Sequence, residues 1–117
     1  YDVEDTVTVT WRHASGVQGF GSWCYVCGND EDYVEIVGSK GVIKFEFFTD
    51  KPLVLVNEAG ETVADIPNPQ HVQQPFIQSI VDDLNGVAPC PGNVESAVRS
   101  TWVADEVLKA YRQQKGY

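Results

Sequence analysis

Cys24-Tyr-Val-Cys27 is the first pair of side chains whose spacing invites chemistry, because thiols three residues apart serve both redox exchange and metal binding. A zinc centre asks for a second such pair or for clustered histidines, and the histidines stand alone at positions 13 and 71. Read as part of a strand, Cys24 and Cys27 point to opposite faces about 10 Å apart, at ~3.3 Å per residue. That exceeds the roughly 7 Å a disulfide spans. On this reading Cys24, Cys27 and Cys90 are free thiols of a reducing compartment, and the expected location is cytoplasmic.

A second cluster, Asn68-Pro-Gln-His71-Val-Gln73-Gln74-Pro75, puts an imidazole and two amides at the start of a helix pattern. Helix N-termini favour oxygen-rich or anionic ligands. The same residues equally serve to cap the helix and fill the loop before it. The remaining signals are poorer. Gly16, Gly19 and Gly21 miss the dinucleotide spacing G-x-G-x-x-G, and they fall inside a strand pair instead of between a strand and a helix. Gly38-Ser39-Lys40-Gly41 lacks the spacing of a phosphate loop, no G-x-S-x-G occurs, and Asp82-Asp83 reads as a solvated pair on a helix's polar face. A catalytic set is not visible; the weakest of three functional readings is a small complete enzyme built on His71 and a carboxylate.

The elements that must position these groups begin with strict alternation. Asp5–His13 sets Val7, Val9 and Trp11 against Thr6, Thr8, Thr10 and Arg12, and Ala14-Ser15-Gly16 turns the chain into a second strand, Val17–Cys27. Paired in simple register, Phe20 and Ser22 join the Thr8, Thr10 and Arg12 face. Tyr33–Val37 and Val42–Phe48 form the central hairpin, with Ile43, Phe45 and Phe47 on one side and Lys44 and Glu46 on the other. Phe45 and Phe47 are therefore expected near the middle of a core, and Gly38 and Gly41 are expected to supply positive φ angles to the turn. Leu53–Val56 and Thr62–Ile66 follow, and Pro67-Asn68-Pro69 ends the strand half. The period then becomes helical. Val72–Asn85 carries the stripe Phe76, Ile77, Ile80, Val81 and Leu84 before Gly86. A second helix runs from an Asn93 cap to about Gln114. The fold expected is α+β, a largely antiparallel sheet of about six strands with two C-terminal helices packed on one face, in a single domain, 1–117.

Composition narrows the partners. The net charge is −9, from 17 acidic and 8 basic residues, with no Lys/Arg cluster to displace counterions from phosphate. Nucleic acid and anionic membrane surfaces are disfavoured, and no apolar run approaches the roughly 18 residues of a membrane span. The sequence contains no Met, which suggests a piece of something longer.

In order and wording the segments DTVTVTWRHASGVQGFGSW, YVEIVGSKGVIKF, NPQHVQQPFIQSIVDDLNG with CPG after it, and ESAVRSTWVADEVLKAYR resemble the C-terminal domain of the Gfo/Idh/MocA family of NAD(P)-dependent oxidoreductases. The resemblance covers nearly the whole chain. It implies that a Rossmann domain with the dinucleotide site and the catalytic histidine lies upstream, so this piece binds no cofactor alone, whereas its parent uses NAD or NADP. It also implies a domain that closes the pocket for a sugar, polyol or related hydroxy compound and forms a homodimer through its open sheet face. By position, Asn29 and Asp30, with His71 and Gln74, border that pocket. The alternative is a free-standing binding or dimerisation module of the same fold.

Overall fold

The computed structural model describes residues 3–116. Six strands, β1 (Thr6–Arg12), β2 (Gln18–Cys24), β3 (Val34–Gly38), β4 (Gly41–Phe45), β5 (Leu53–Asn57) and β6 (Gly60–Ala64), precede two helices, α1 (Gln74–Leu84) and α2 (Val94–Lys115). Every strand pairing is antiparallel, and the class is α+β. The strands divide into two sheets, a β1-β2 ladder and a β3-β4-β5-β6 meander. Residues 25–33 are irregular and carry no ladder that could join them. Two compact units share the chain, Tyr1–Gly28 with Asp82–Tyr117, and Asn29–Val81.

In the first unit β1 and β2 pair in the simple register, Thr8 opposite Ser22 and Thr10 opposite Phe20. Thr, Arg, Phe20 and Ser22 thus share one face, as the alternation predicts, and the Thr8 and Ser22 hydroxyls share a hydrogen bond of 3.2 Å. The opposite face explains the glycines of β2. Gly19 lies directly across from Trp11, and a Cβ there would overlap the indole; Gly21 is covered in the same way by Trp23. Both rings lie over bare backbone, which compensates for the missing side chains of a glycine-containing strand. Gly16, at φ 91°, closes the hairpin, with its N–H donating to the His13 carbonyl at 2.9 Å.

Strand β2 ends at Cys24 instead of Cys27, and here the free-thiol expectation is overturned. Cys24 and Cys27 form a disulfide, with their Cα atoms 5.6 Å apart. The separation argued from strand geometry does not apply, because the chain leaves the strand and bends at Tyr25–Val26. The inference of a reducing compartment loses its support with it. Cys90 forms no disulfide, and among the described residues it alone is deeply buried, at 6% exposure.

In the second unit Gly38 and Gly41 pair across a two-residue turn. Only Gly41 has a positive φ, 153°. Its more pressing requirement is space: a Cβ there would lie 2.6 Å from the Val56 carbonyl oxygen of β5. Strand β4 stops at Phe45, because Asp32 Oδ2 accepts the backbone N–H groups of both Phe47 and Phe48 at 2.6 Å and draws the chain off the ladder. Phe45 is half-buried, and its ring meets that of Phe47 edge to face at 5.2 Å between centroids. Phe47 itself is 69% exposed, so it does not sit in the core expected of it. The alternation that placed it there ends two residues earlier.

The helix ends follow their capping residues. Asn93 accepts the Ser96 N–H at 3.0 Å, and Gly116, at φ 86°, donates to the Arg112 carbonyl. Gly86, at φ 70°, and Val87 return N–H groups to the Asp83 and Asp82 carbonyls at the end of α1. The α1 stripe Phe76, Ile77, Ile80, Val81 and Leu84 is exposed, as are Val94, Val98 and Trp102 of α2. Among the described residues no helix is long and apolar enough to cross a membrane.

Candidate functional site

The clearest concavity of the second unit lies where β3, β4 and the start of β5 meet. It is an open depression of about 320 Å³ lined by Tyr33, Lys44, Phe45, Glu46, Lys51, Pro52 and Val54. The antiparallel register sets Glu35 opposite Lys44, and Lys44 in turn opposite Val54, so these three side chains share a face. Pro52 and Val54 give the depression an apolar floor on that face. Its rim is a set of matched charges. Lys44 Nζ is 3.7 Å from Glu35 Oε2, and the Tyr33 hydroxyl donates to the same oxygen at 2.5 Å. That hydrogen bond, with partial desolvation and the Glu35 charge adding, raises the phenol above its ordinary range. Lys51 Nζ donates to Glu46 Oε1 at 2.6 Å, and Thr49 Oγ1 donates to Glu46 Oε2 at 2.8 Å. Lys51 first, then Thr49, holds the Glu46 carboxyl below the ordinary carboxylate range.

An apolar floor with a hydrogen-bonding rim suits a ligand that presents both a ring or alkyl face and hydroxyl groups. The volume sits near the lower end of small-molecule sites, roughly 300–1,000 Å³. The lining residues include no serine, cysteine or histidine, so nothing here pairs a nucleophile with a base.

The four residues proposed from sequence lie in the same unit, Asn29, Asp30 and His71 on irregular segments and Gln74 as the first residue of α1. His71 and Gln74 are joined through the backbone, with the Gln74 N–H donating to the His71 carbonyl at 2.9 Å in the turn that opens α1. Asn29 and Asp30 are exposed loop residues following the disulfide bend. Among the described residues no hydrogen bond or ion pair links Asn29 or Asp30 to His71 or Gln74. Asn68 of the same cluster donates instead to Asp50 Oδ1 at 2.5 Å, which ties the segment before α1 to the loop after β4.

Tyr33, Lys44, Glu46 and Lys51 were not singled out by sequence reasoning. The signal was present in the alternation, which sets Lys44 and Glu46 on the face away from Ile43 and Phe45. What was missing was the register, which brings Glu35 opposite Lys44 and so builds a rim from two strands.

Asp65–Gln73, the connection from β6 to α1, is the one strand-to-helix crossover among the described elements. It contains Pro67 and Pro69 and no glycine, so it does not fit the close backbone approach to a pyrophosphate that dinucleotide sites require.

Comparison with known proteins gives one relative of clear similarity. "Oxidoreductase P35" from Formosa agariphila is 35% identical over 91 residues, which cover 78% of this chain and 28% of that protein. The chain therefore spans well under a third of the curated relative it matches. No family model matches the sequence, and no solved structure matches it.

Proposed function

We propose that this chain is the C-terminal, substrate-pocket and subunit-contact part of a larger NAD(P)-dependent oxidoreductase of Gfo/Idh/MocA type, acting on a sugar, polyol or related hydroxy compound. The observation that carries the reading is the 35% identity to a protein named as an oxidoreductase, of which this chain matches about a quarter. The apolar floor and hydrogen-bonding rim of the Tyr33–Val54 depression agree with a hydroxylated substrate. Asn29, Asp30, His71 and Gln74 are the proposed border of the substrate pocket. The dinucleotide belongs, on this reading, to an upstream Rossmann domain of the same gene product, since the β6–α1 connection does not suit it.

The Thr8, Thr10, Arg12 and Phe20 face of the β1-β2 ladder is the proposed subunit contact. All four residues are exposed, and Phe20 is 68% accessible in a setting otherwise tolerant of water. A two-fold axis through this face would bring each Thr10 toward its symmetry mate. The test is to express the gene with its flanking coding sequence and assay it against sugars and polyols with NAD and NADP. The expected result is dinucleotide-dependent oxidation of at least one such compound. In sedimentation the same protein should be a dimer that Thr10→Glu weakens. Absence of turnover across the panel with either dinucleotide overturns the enzymatic reading, and a dimer indifferent to Thr10→Glu overturns the contact face.

A further inference from the structure

We infer that Cys24–Cys27 is a thiol-exchange site, opened and re-formed by small thiols, at which Thr6 favours the departure of Cys24. This goes beyond the proposed function and does not depend on it. Cys24 is the last residue of β2, and Cys27 follows a two-residue bend, with 5.6 Å between their Cα atoms. Both residues are exposed. An exposed disulfide is open to attack by a thiolate and belongs to the labile class, unlike the buried bridges that resist reduction. The closed loop is also short, so it removes little freedom from the unfolded chain.

The two sulfurs are not equivalent. Thr6 stands directly opposite Cys24 in the ladder, and its hydroxyl donates toward Cys24 Sγ at 3.7 Å. Among the described residues Cys27 Sγ has no such donor. A hydroxyl donor stabilises a thiolate over a thiol, and a more stable thiolate leaves faster. Attack is thereby directed to Cys27. A thiolate RS⁻ forms a bond to Cys27 Sγ, the Cys27–Cys24 bond breaks, and its electron pair leaves on Cys24. A second thiolate attacks the outer sulfur of the mixed disulfide, forms RSSR and releases Cys27. The two protein thiolates take up the two protons that the attacking thiols lost. Two small thiols are oxidised to one disulfide, and the protein disulfide is reduced by two electrons; a small disulfide reverses the sequence.

Opening the bridge also frees the backbone. The Tyr25 N–H already donates to the Asp5 carbonyl at 2.8 Å, one step beyond the regular ladder. Without the clasp nothing covalent holds Tyr25–Val26 in its bend, and an extended chain would separate the two Cα atoms to about 10 Å.

The experiment equilibrates the 117-residue chain in buffers of reduced and oxidised glutathione, quenches with acid and an alkylating reagent, and counts thiols by intact mass. Cys90 lies outside the disulfide and contributes one constant label. The expected result is a reversible gain of two labels at millimolar reduced glutathione without denaturant. Thr6→Val should slow the opening severalfold, because the departing thiolate loses its donor, and Thr6→Ser should restore the rate. In the reduced protein Thr6→Val should also move the pH dependence of Cys24 alkylation upward, which loss of packing alone does not do. Amide exchange at Tyr25, whose N–H the Asp5 carbonyl accepts, should quicken on reduction. The inference is overturned if the pair fails to form under oxidised glutathione, if it resists millimolar reduced glutathione, or if Thr6→Val and Thr6→Ser open at the same rate.

Discussion

Strands β2 and β4 end in opposite ways. At β2 the clasp is covalent and lies between side chains, with Cys24 joined to Cys27 across a bend. At β4 it is electrostatic and falls on the backbone, where one Asp32 oxygen accepts the N–H groups of Phe47 and Phe48. The first depends on redox conditions and leaves the ladder beside it complete. The second is independent of redox state, and it gives two N–H groups a charged acceptor in place of a neighbouring strand. Strand length is thus decided, at both ends, by competition between the ladder and a local alternative.

The largest effect should come from Asp32→Ala, which removes a half-buried carboxylate and leaves two backbone donors without their acceptor. Hydrogen bonds to charged groups contribute roughly 1.5–3 kcal/mol, so urea denaturation should show a loss of about that size. Asp32→Asn, which keeps one acceptor oxygen, should recover part of it. A smaller effect is expected from the double substitution Cys24→Ser with Cys27→Ser. Closing so short a loop is worth about 2 kcal/mol at most on the chain-entropy account, and the β1-β2 ladder should persist in the variant's NMR spectrum. If the double serine variant loses more stability than Asp32→Ala, the ranking of the two clasps is reversed.

The alternation of β1, β2 and β4 was legible in the sequence because one residue in two has the same character, and the caps at Asn93 and Gly86 declare themselves by residue type. The strand ends were not legible. The pattern runs on through Cys27 and Phe48, and nothing local says that Asp32 will turn back on Phe47, fifteen residues away. The division into two sheets follows from those early ends. The depression beside Tyr33 was half-visible, since Lys44 and Glu46 read as the polar face, whereas Glu35 joins them only through the register.

The smallest effect concerns Glu46. Its folded-state pKa is lowered by Lys51 and Thr49, so its contribution to stability is present above the unfolded-state carboxylate pKa and is lost as pH falls through the lower folded value. Lys51→Met should return the Glu46 titration, followed by carboxyl NMR shifts, toward the ordinary range. Added salt should diminish the acid-limb effect, because the pair is open to solvent.

The most direct test of the functional account is dinucleotide binding, measured side by side on the 117-residue chain and on the gene product carrying its flanking sequence. Calorimetry with NADH and NADPH should show saturable binding of at least one of them to the longer protein and none to the shorter chain. Saturable binding to the 117-residue chain alone, or its absence from the longer protein, would contradict the assignment of this chain as the pocket-closing partner of a separate cofactor domain.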